Sequence, residues 1–442
     1  MFFRSTAHRM LRICASAAFA IGASVCQIST AGAVPATLTY TYGHNIFTVS
    51  AAAHPEWKND RKEWFFMGQK AAPPAELLSC GPNDTLPEGW SVQTVSDWNT
   101  DSIAVTLKKL IADKFDRAAG KVTINRTASG TIVFDGFGLP GRSVEIAKAA
   151  ALTRTALLNT IDTIVLPVII TQPAITVTDP ALTTMGIREV VSVGESEFSG
   201  SPKNRQHNIG VGIRKFNGHL IPQNSVFSFN AVLGPVNAKT GYLKELVIQG
   251  EKTVPDFGGG LCQVSSTAYR GAWEYGLPID QRKNHSYAVR YYGPAGTDAT
   301  IYPPNVDLKF TNNTPGALLI QSYVTDDLKA YFIYYGTRDT RTAEVFGPFI
   351  FDFRPAAKGE LTIYGTDQPP GTRTRVSERH DGMKVNWYRA VTMPGTAQKI
   401  ERVFSSYDDR QLTYEVGVDP GSLPTASGGL LTPAPSSATS RR

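Results

Sequence analysis

Cysteine is scarce in this chain, with four in 442 residues, at Cys14, Cys26, Cys80 and Cys262. That excludes a small scaffold held together by disulfides. No cluster of His, Cys and Asp has the spacing of metal ligands, and neither a phosphate loop nor a dinucleotide fingerprint occurs, so no metal and no cofactor are expected. Charged residues make up only 19% of the chain, too few for a coiled coil, while a hydrophobic share of 42% is too high for a wholly disordered one. Beyond residue 33 no apolar run is long enough to cross a bilayer, and no repeat of solenoid period is present. What remains is a globular chain of about two to four domains.

The charge is +6 at pH 7, which would suit an anionic partner if it were concentrated on a folded surface. It is not. Residues 1–33 hold Arg4, Arg9 and Arg12 with no acid and so carry +3, and residues 419–442 carry +1, which leaves +2 for the body. A body so close to neutral has no electrostatic footprint for nucleic acid.

The three arginines precede an apolar stretch from Ile13 to Val25, and Ala31-Gly32-Ala33 follows. These are the three regions of a secretory signal peptide cleaved after Ala33. The apolar stretch is too short to remain as an anchor, and Val25 occupies a position where lipid attachment at Cys26 wants a small residue. The expected protein is exported to the periplasm or cell envelope, with no membrane span after cleavage. Its mature form keeps Cys80 and Cys262, which either pair as one disulfide in an oxidising compartment or leave Cys262 as a free thiol.

Five regions are expected after the leader: an N-terminal region at 34–101, an α+β module at 102–185, a β-rich central domain at 186–337, an accessory β module at 338–418 and a disordered tail at 419–442. The fold class is α+β and multidomain. In the second region Ile103, Leu107, Leu110 and Ile111 recur at helical spacing, Lys121–Ile124 and Thr131–Phe134 are strands around a Ser129-Gly130 turn, and Ser143–Asn159 is a helix before the β-rich run 163–170. In the central domain two hairpins are expected. Asn208–Phe216 and His219–Ile221 flank Asn217-Gly218, the strongest short hairpin signal, and 317–324 and 328–335 flank Thr325-Asp326-Asp327. Further strands lie at 376–378 and 387–391. The tail is rich in Gly, Ser, Thr and Pro and cannot bury enough apolar surface to order itself.

Chemistry concentrates at Gly258-Gly259-Gly260-Leu261-Cys262-Gln263-Val264-Ser265-Ser266-Thr267. Leu261, Val264, Ala268, Ala272 and Tyr275 form one helical stripe, and Gly276 followed by Pro278 supplies the stop. Cys262 therefore falls in a first helical turn, where unpaired N–H groups and the helix dipole favour a thiolate. Three glycines admit a close substrate backbone, and amides of Gly260 to Gln263 are candidate oxyanion donors. The alternative is a buried core cysteine beside a tight turn.

His285 stands in a stretch, 282–292, whose alternation places His285, Tyr287, Val289 and Tyr291 on one strand face. The stretch directly follows the Cys262 helix, which gives thiol and imidazole the opportunity to meet as nucleophile and base; the alternative is a histidine bonded to a loop. Asp298, in Gly296-Thr297-Asp298-Ala299-Thr300, either orients the imidazole or shapes a turn.

At these residues the sequence resembles the VanW-like family of exported bacterial cell-envelope proteins. The matching strings are Phe227-Ser228-Phe229-Asn230, Gly234-Pro235, Gly241-Tyr242, Gly258 to Thr267, Gly276-Leu277, Arg282 with His285-Ser286, Gly296 to Thr300, Asp307-Leu308-Lys309-Phe310 and Asn312-Asn313-Thr314. Gln223 departs from the glycine usual after Pro222. The resemblance covers roughly Gly186 to Tyr335. Lys121 to Pro180 is similar to a module that often precedes it, described as peptidoglycan-binding, and the region after Arg338 resembles accessory β modules.

Some members of the family are reported as cysteine-dependent L,D-transpeptidases that cross-link peptidoglycan stem peptides. The resemblance thus implies Cys262 as nucleophile and His285 as base. Gly258, Gly259, Gly260, Gln263, Ser265, Ser266 and Asp298 are the expected binding residues, and the stem peptides the expected partner. The rival expectation is a non-catalytic wall-binding or scaffold protein whose Gly-rich loop recognises a stem carboxylate at the helix N-terminus.

Overall fold

A computed structural model describes residues 35–78, 85–249, 252–366 and 368–421. The expected leader, Cys80 and most of the expected tail lie outside the described residues. The architecture is strand-rich and mixed α+β. No helix among the described residues is long and apolar enough to cross a membrane.

The N-terminal part is built from β1 (Thr37–Tyr42), β2 (Asn45–Ser50), α1 (Thr100–Leu107), β3 (Lys121–Arg126), β4 (Ile132–Gly136), α2 (Ile146–Leu158) and β5 (Thr163–Val165). β1 pairs antiparallel with β2 and parallel with β5, and β3 pairs antiparallel with β4 across the expected turn. Asn99 caps α1 by accepting from the amides of Asp101 and Ser102. Ile103, Leu107 and Ile111 then face inward, against Leu38, Tyr40, Trp57 and Ala149. Side chains from 34–101 and from 102–185 thus share a single hydrophobic cluster, and the Tyr40 hydroxyl meets Thr153 of α2 at 2.9 Å inside it.

The central part contains β6 (Glu189–Glu197), α3 (Lys203–Arg214), β7 (Lys244–Gln249), β8 (Lys252–Phe257), α4 (Leu261–Tyr275), β9 (Ile279–Gln281), β10 (Leu318–Val324) and β11 (Lys329–Gly336). β11 is flanked by β6 and β10, both antiparallel. Alternate residues of this sheet serve two cores. Ile320, Phe332 and Tyr334 pack toward α4, while Leu319, Ile333 and Tyr335 pack toward Val122, Ile124 and Leu182 of the N-terminal part. Burial on both faces explains why these strands are apolar at nearly every position.

The expected hairpin at 317–335 is present as β10 and β11, whereas the one expected around Asn217-Gly218 is not. Residues 203–214 are helical, and Leu220–Ile221 pairs with β10 instead. The buried positions are Arg205, Asn208, Ile209, Gly212 and Ile213, a stripe of helical period. Two of its members are polar, which hides the period from an apolar count and leaves the β-branched residues to suggest a strand.

Beyond residue 338, β12 (Thr342–Arg354), β13 (Gly382–Thr392) and β14 (Lys399–Tyr407) form one antiparallel sheet. Val385, Trp387 and Tyr407 belong to the same cluster as α4. Trp387 meets Trp273 edge-on at 5.6 Å and donates to the Ala295 carbonyl at 2.8 Å.

Glu195 on β6 ties the N-terminal part to the central sheet, receiving Arg117 at 2.6 Å and Arg142 on its other oxygen. Burial pushes its carboxyl up, but the two guanidinium charges override this and bring it down to about 2. A depressed acid contributes stability above its unfolded value of about 4.3, and that contribution is lost as pH falls toward the folded one. Glu195→Gln is expected to cost about 3 kcal/mol at pH 7. Urea unfolding at a series of pH values should show the gap to wild type closing below about pH 4.5; a gap independent of pH would refute this account.

Candidate functional site

β8 runs into the Gly258-Gly259-Gly260 turn, which opens α4. Gly258 and Gly260 have φ of +81° and +110°, a region that residues with a Cβ rarely adopt. A Cβ at Gly258 would lie 2.5 Å from Val236, and one at Gly260 2.9 Å from the Arg205 side chain. Backbone conformation and packing therefore account for these two glycines. Gly258 and Gly259 are buried and Gly260 half-buried. Within the turn the Leu261 and Gln263 amides donate to the Gly258 and Gly260 carbonyls. Of the amides expected to be available to an oxyanion, these two are taken.

Cys262 follows, half-buried and carrying a free thiol; Cys80, its alternative disulfide partner, lies outside the described residues. The sulfur is 3.5 Å from Thr300 Oγ1 and 3.8 Å from the Ile301 carbonyl. His285 is buried, and its ring is stacked on Tyr292 with centroids 4.3 Å apart. Its Nδ1 lies 2.6 Å from Asp298 Oδ2, which also accepts the His285 backbone N–H at 2.7 Å. Nε2 is buried and has no partner of ordinary hydrogen-bond geometry. With Nδ1 engaged by Asp298, Nε2 is the ring nitrogen left without a partner, and His285 and Cys262 perturb each other electrostatically.

Electrostatics follow from this placement. Burial pushes the Cys262 thiol up, but the imidazole, followed by Thr300 and the Ile301 carbonyl, outweighs this and brings it below its ordinary value. Burial pushes His285 down, yet Asp298 and the sulfur raise it well above the usual imidazole range. Asp298 is nearly sequestered, which pushes its carboxyl up, and His285, Arg282 and Tyr407 together hold it far below ordinary carboxylates. These shifts run in the direction of a thiolate–imidazolium pair backed by a carboxylate.

The expected strand at 282–292 is not formed. β9 ends at Gln281, residues 282–289 are irregular, and Arg290–Tyr292 is a short 3₁₀ turn. Side chains have taken the backbone groups a ladder would use: Asp298 binds the His285 N–H, and Asn284 donates to the His285 carbonyl at 2.7 Å. The loop brings His285 to α4 without a strand face.

Three further candidate binding residues face the chain itself. Gln263 is fully buried, accepting from Arg205 at 3.1 Å and donating to the Tyr291 carbonyl at 3.2 Å. Ser265 donates to the Ala299 carbonyl at 2.6 Å, and Ser266 accepts the Ala299 amide at 2.9 Å. Both serines are fully buried, so they fasten 298–300 to α4 and leave nothing exposed for a ligand. Residues that sequence reasoning missed are Arg282, 3.2 Å from Asp298 Oδ1, Thr300 beside the sulfur, and Tyr407, whose hydroxyl donates to Asp298 Oδ1. Arg282 stands in a quoted motif and was open to notice; Tyr407, more than a hundred residues from Asp298, carried no local signal. Among the described residues no group of three or more His, Cys, Asp or Glu side chains is placed to hold a metal ion.

Comparison with known proteins places this site in context. Residues 204–333 match the family model described as VanW like protein. The chain is 36% identical over 125 residues to the uncharacterized protein YoaR of Bacillus subtilis, covering 28% of this chain and 41% of that protein. It is 30% identical over 118 residues to the vancomycin B-type resistance protein VanW of Enterococcus faecalis, covering 25% and 42% respectively. The chain thus spans about two fifths of the length of these curated relatives. No solved structure matches.

The thiolate–imidazolium pair sets an expected pH profile for alkylation by iodoacetamide. Wild-type Cys262 should react below the ordinary thiol pKa of about 8.5. In His285→Gln, burial acts without the imidazolium, and the rate at pH 7 should fall by about tenfold or more. An unchanged profile in that variant would show that the imidazole does not govern the thiol.

Proposed function

We propose, from the match of residues 204–333 to the VanW-like family, that the chain is a cell-envelope acyl-transfer enzyme, a cysteine L,D-transpeptidase acting on peptidoglycan stem peptides. The observation that carries this reading is the buried Nε2 of His285, free of any ordinary partner while Nδ1 is fixed by Asp298, acting on a half-buried thiol in the first turn of α4. A core cysteine would need neither the imidazole nor the carboxylate behind it.

In this reading the Cys262 thiolate attacks a carbonyl carbon of the donor stem, forming a C–S bond and moving the carbonyl π electrons onto oxygen. The resulting oxyanion is met by the Cys262 amide, which has no partner among the described residues. Collapse breaks the C–N bond, and His285 Nε2 delivers its proton to the departing amine, a terminal D-amino acid. The neutral imidazole then accepts a proton from the amine of a second stem as that nitrogen attacks the thioester. An amide forms, the C–S bond breaks, and the thiolate–imidazolium pair is restored. Water in place of the amine makes the same cycle a carboxypeptidase. Asp298 holds the ring's tautomer and orientation throughout.

Incubation with disaccharide-tetrapeptide muropeptides followed by intact mass spectrometry tests the proposal. The wild type should gain one acyl mass, Cys262→Ala should gain none, and His285→Gln should acylate about a hundredfold more slowly or worse. No adduct on the wild type, together with full wall association by Cys262→Ala, would overturn the enzymatic reading in favour of a binding protein.

A further inference from the structure

The stretch 405–408, at the end of β14, lies along the loop that carries His285. Ser405 Oγ accepts from Arg282 Nη1 at 2.8 Å, the Ser406 carbonyl accepts from the Asn284 side chain at 2.7 Å, and the Asp408 amide donates to the Ser286 carbonyl at 2.7 Å. Tyr407 turns inward between these contacts and is 2% exposed. Its hydroxyl accepts the Gly296 amide at 2.7 Å and donates its own proton to Asp298 Oδ1. The matched segment ends at residue 333, so this stretch belongs to a part of the chain that the family comparison does not reach.

We infer that Tyr407 is a positioning residue for the Cys262 site, fixing Asp298 from the C-terminal β sheet, so that this sheet is a working part of the site. The inference rests on the acyl-transfer reading only for the use to which the thiol is put. Asp298 divides its acceptors: Oδ2 serves the two His285 donors, and Oδ1 serves Arg282 and Tyr407. Arg282 meets Oδ1 at 3.2 Å, so the Tyr407 bond is the closer constraint on that oxygen and on the rotation of the carboxylate. It also withdraws charge from the carboxylate, which tempers its pull on the imidazole proton. Other titratable or charged groups near Asp298 include Tyr269 and Arg270 of α4, Tyr292 beside the imidazole, and Arg290, Arg379, His380 and Asp381, which line one cavity with Asp298 and Tyr407. Arg270 itself is engaged with the carbonyls of Tyr292, Gly293 and Thr297.

The sign follows. Without the phenol, Asp298 becomes the stronger base and the imidazolium holds its proton to higher pH, so the alkaline limb of Cys262 alkylation, the inflection at which the imidazolium is lost and the paired thiolate becomes a free one, moves up. Iodoacetamide alkylation across pH, with no substrate present, is the measurement. Tyr407→Phe should raise that limb by about half a pH unit or more. 3-Fluorotyrosine at position 407 preserves the side chain's shape while donating more strongly, and should lower it. In an Asp298→Asn background both shifts should vanish, because the phenol acts through the carboxylate. A limb that neither variant moves, or shifts of equal size with and without Asp298, would overturn the inference. Failure of wild type to acylate on muropeptides removes the transpeptidase reading and leaves this result unaffected.

Discussion

One buried carboxylate organises the site. Asp298 is 2% exposed, yet it is ionised because four donors converge on it: two from His285, one from Arg282 and one from Tyr407. A charge so deep is tolerable only where it is paired and hydrogen-bonded on every side. The same bonds select the His285 tautomer, leave Nε2 without a partner, and draw three separate stretches of chain together. If the carboxylate loses its partners, the cationic imidazole loses its reason to be charged, and with it the thiol loses its reason to ionise.

The helix that carries the thiol is unusual in being buried nearly all round, with Gln263, Ser265, Ser266, Thr267 and Arg270 enclosed along with its apolar stripe. These polar side chains are matched: Ser265 and Ser266 to the Ala299 backbone, Thr267 to Ser196, Arg270 to four oxygens of the 292–297 loop, while the Trp273 ring N–H on the same helix has no partner. A network of this kind is rigid. It fixes the distance between Cys262 and the segment bearing Asp298 and Thr300. The serines thus set the geometry of a site whose ligand they cannot touch.

The parts of the chain are joined by packing as well as by connection. The central sheet presents one face to α4 and the other to the N-terminal strands. Trp387 and Tyr407 bring the C-terminal sheet into the same cluster as Trp273. Boundaries drawn where composition changes therefore do not coincide with gaps in the hydrophobic core, since composition reports local chain character and a core is shared by whichever faces meet.

The sequence alone determined what local chemistry controls. Gly258 to Thr267 specified a turn entering a helix, Gly276 with Pro278 its end, and 317–335 a hairpin, because φ preferences, missing amides and period are properties of neighbouring residues. It also singled out Cys262, His285 and Asp298. Tertiary structure decided the rest. Residues 203–214 became a helix, because a buried stripe containing Arg205 and Asn208 has its period only when their partners are counted. Residues 282–292 stayed irregular, because a carboxylate sixteen residues from Arg282 and strand-end groups at 405–408 took over their hydrogen bonding. Tyr407 joined the site for the same reason: a contact between residues 109 apart leaves no trace in the local sequence of either.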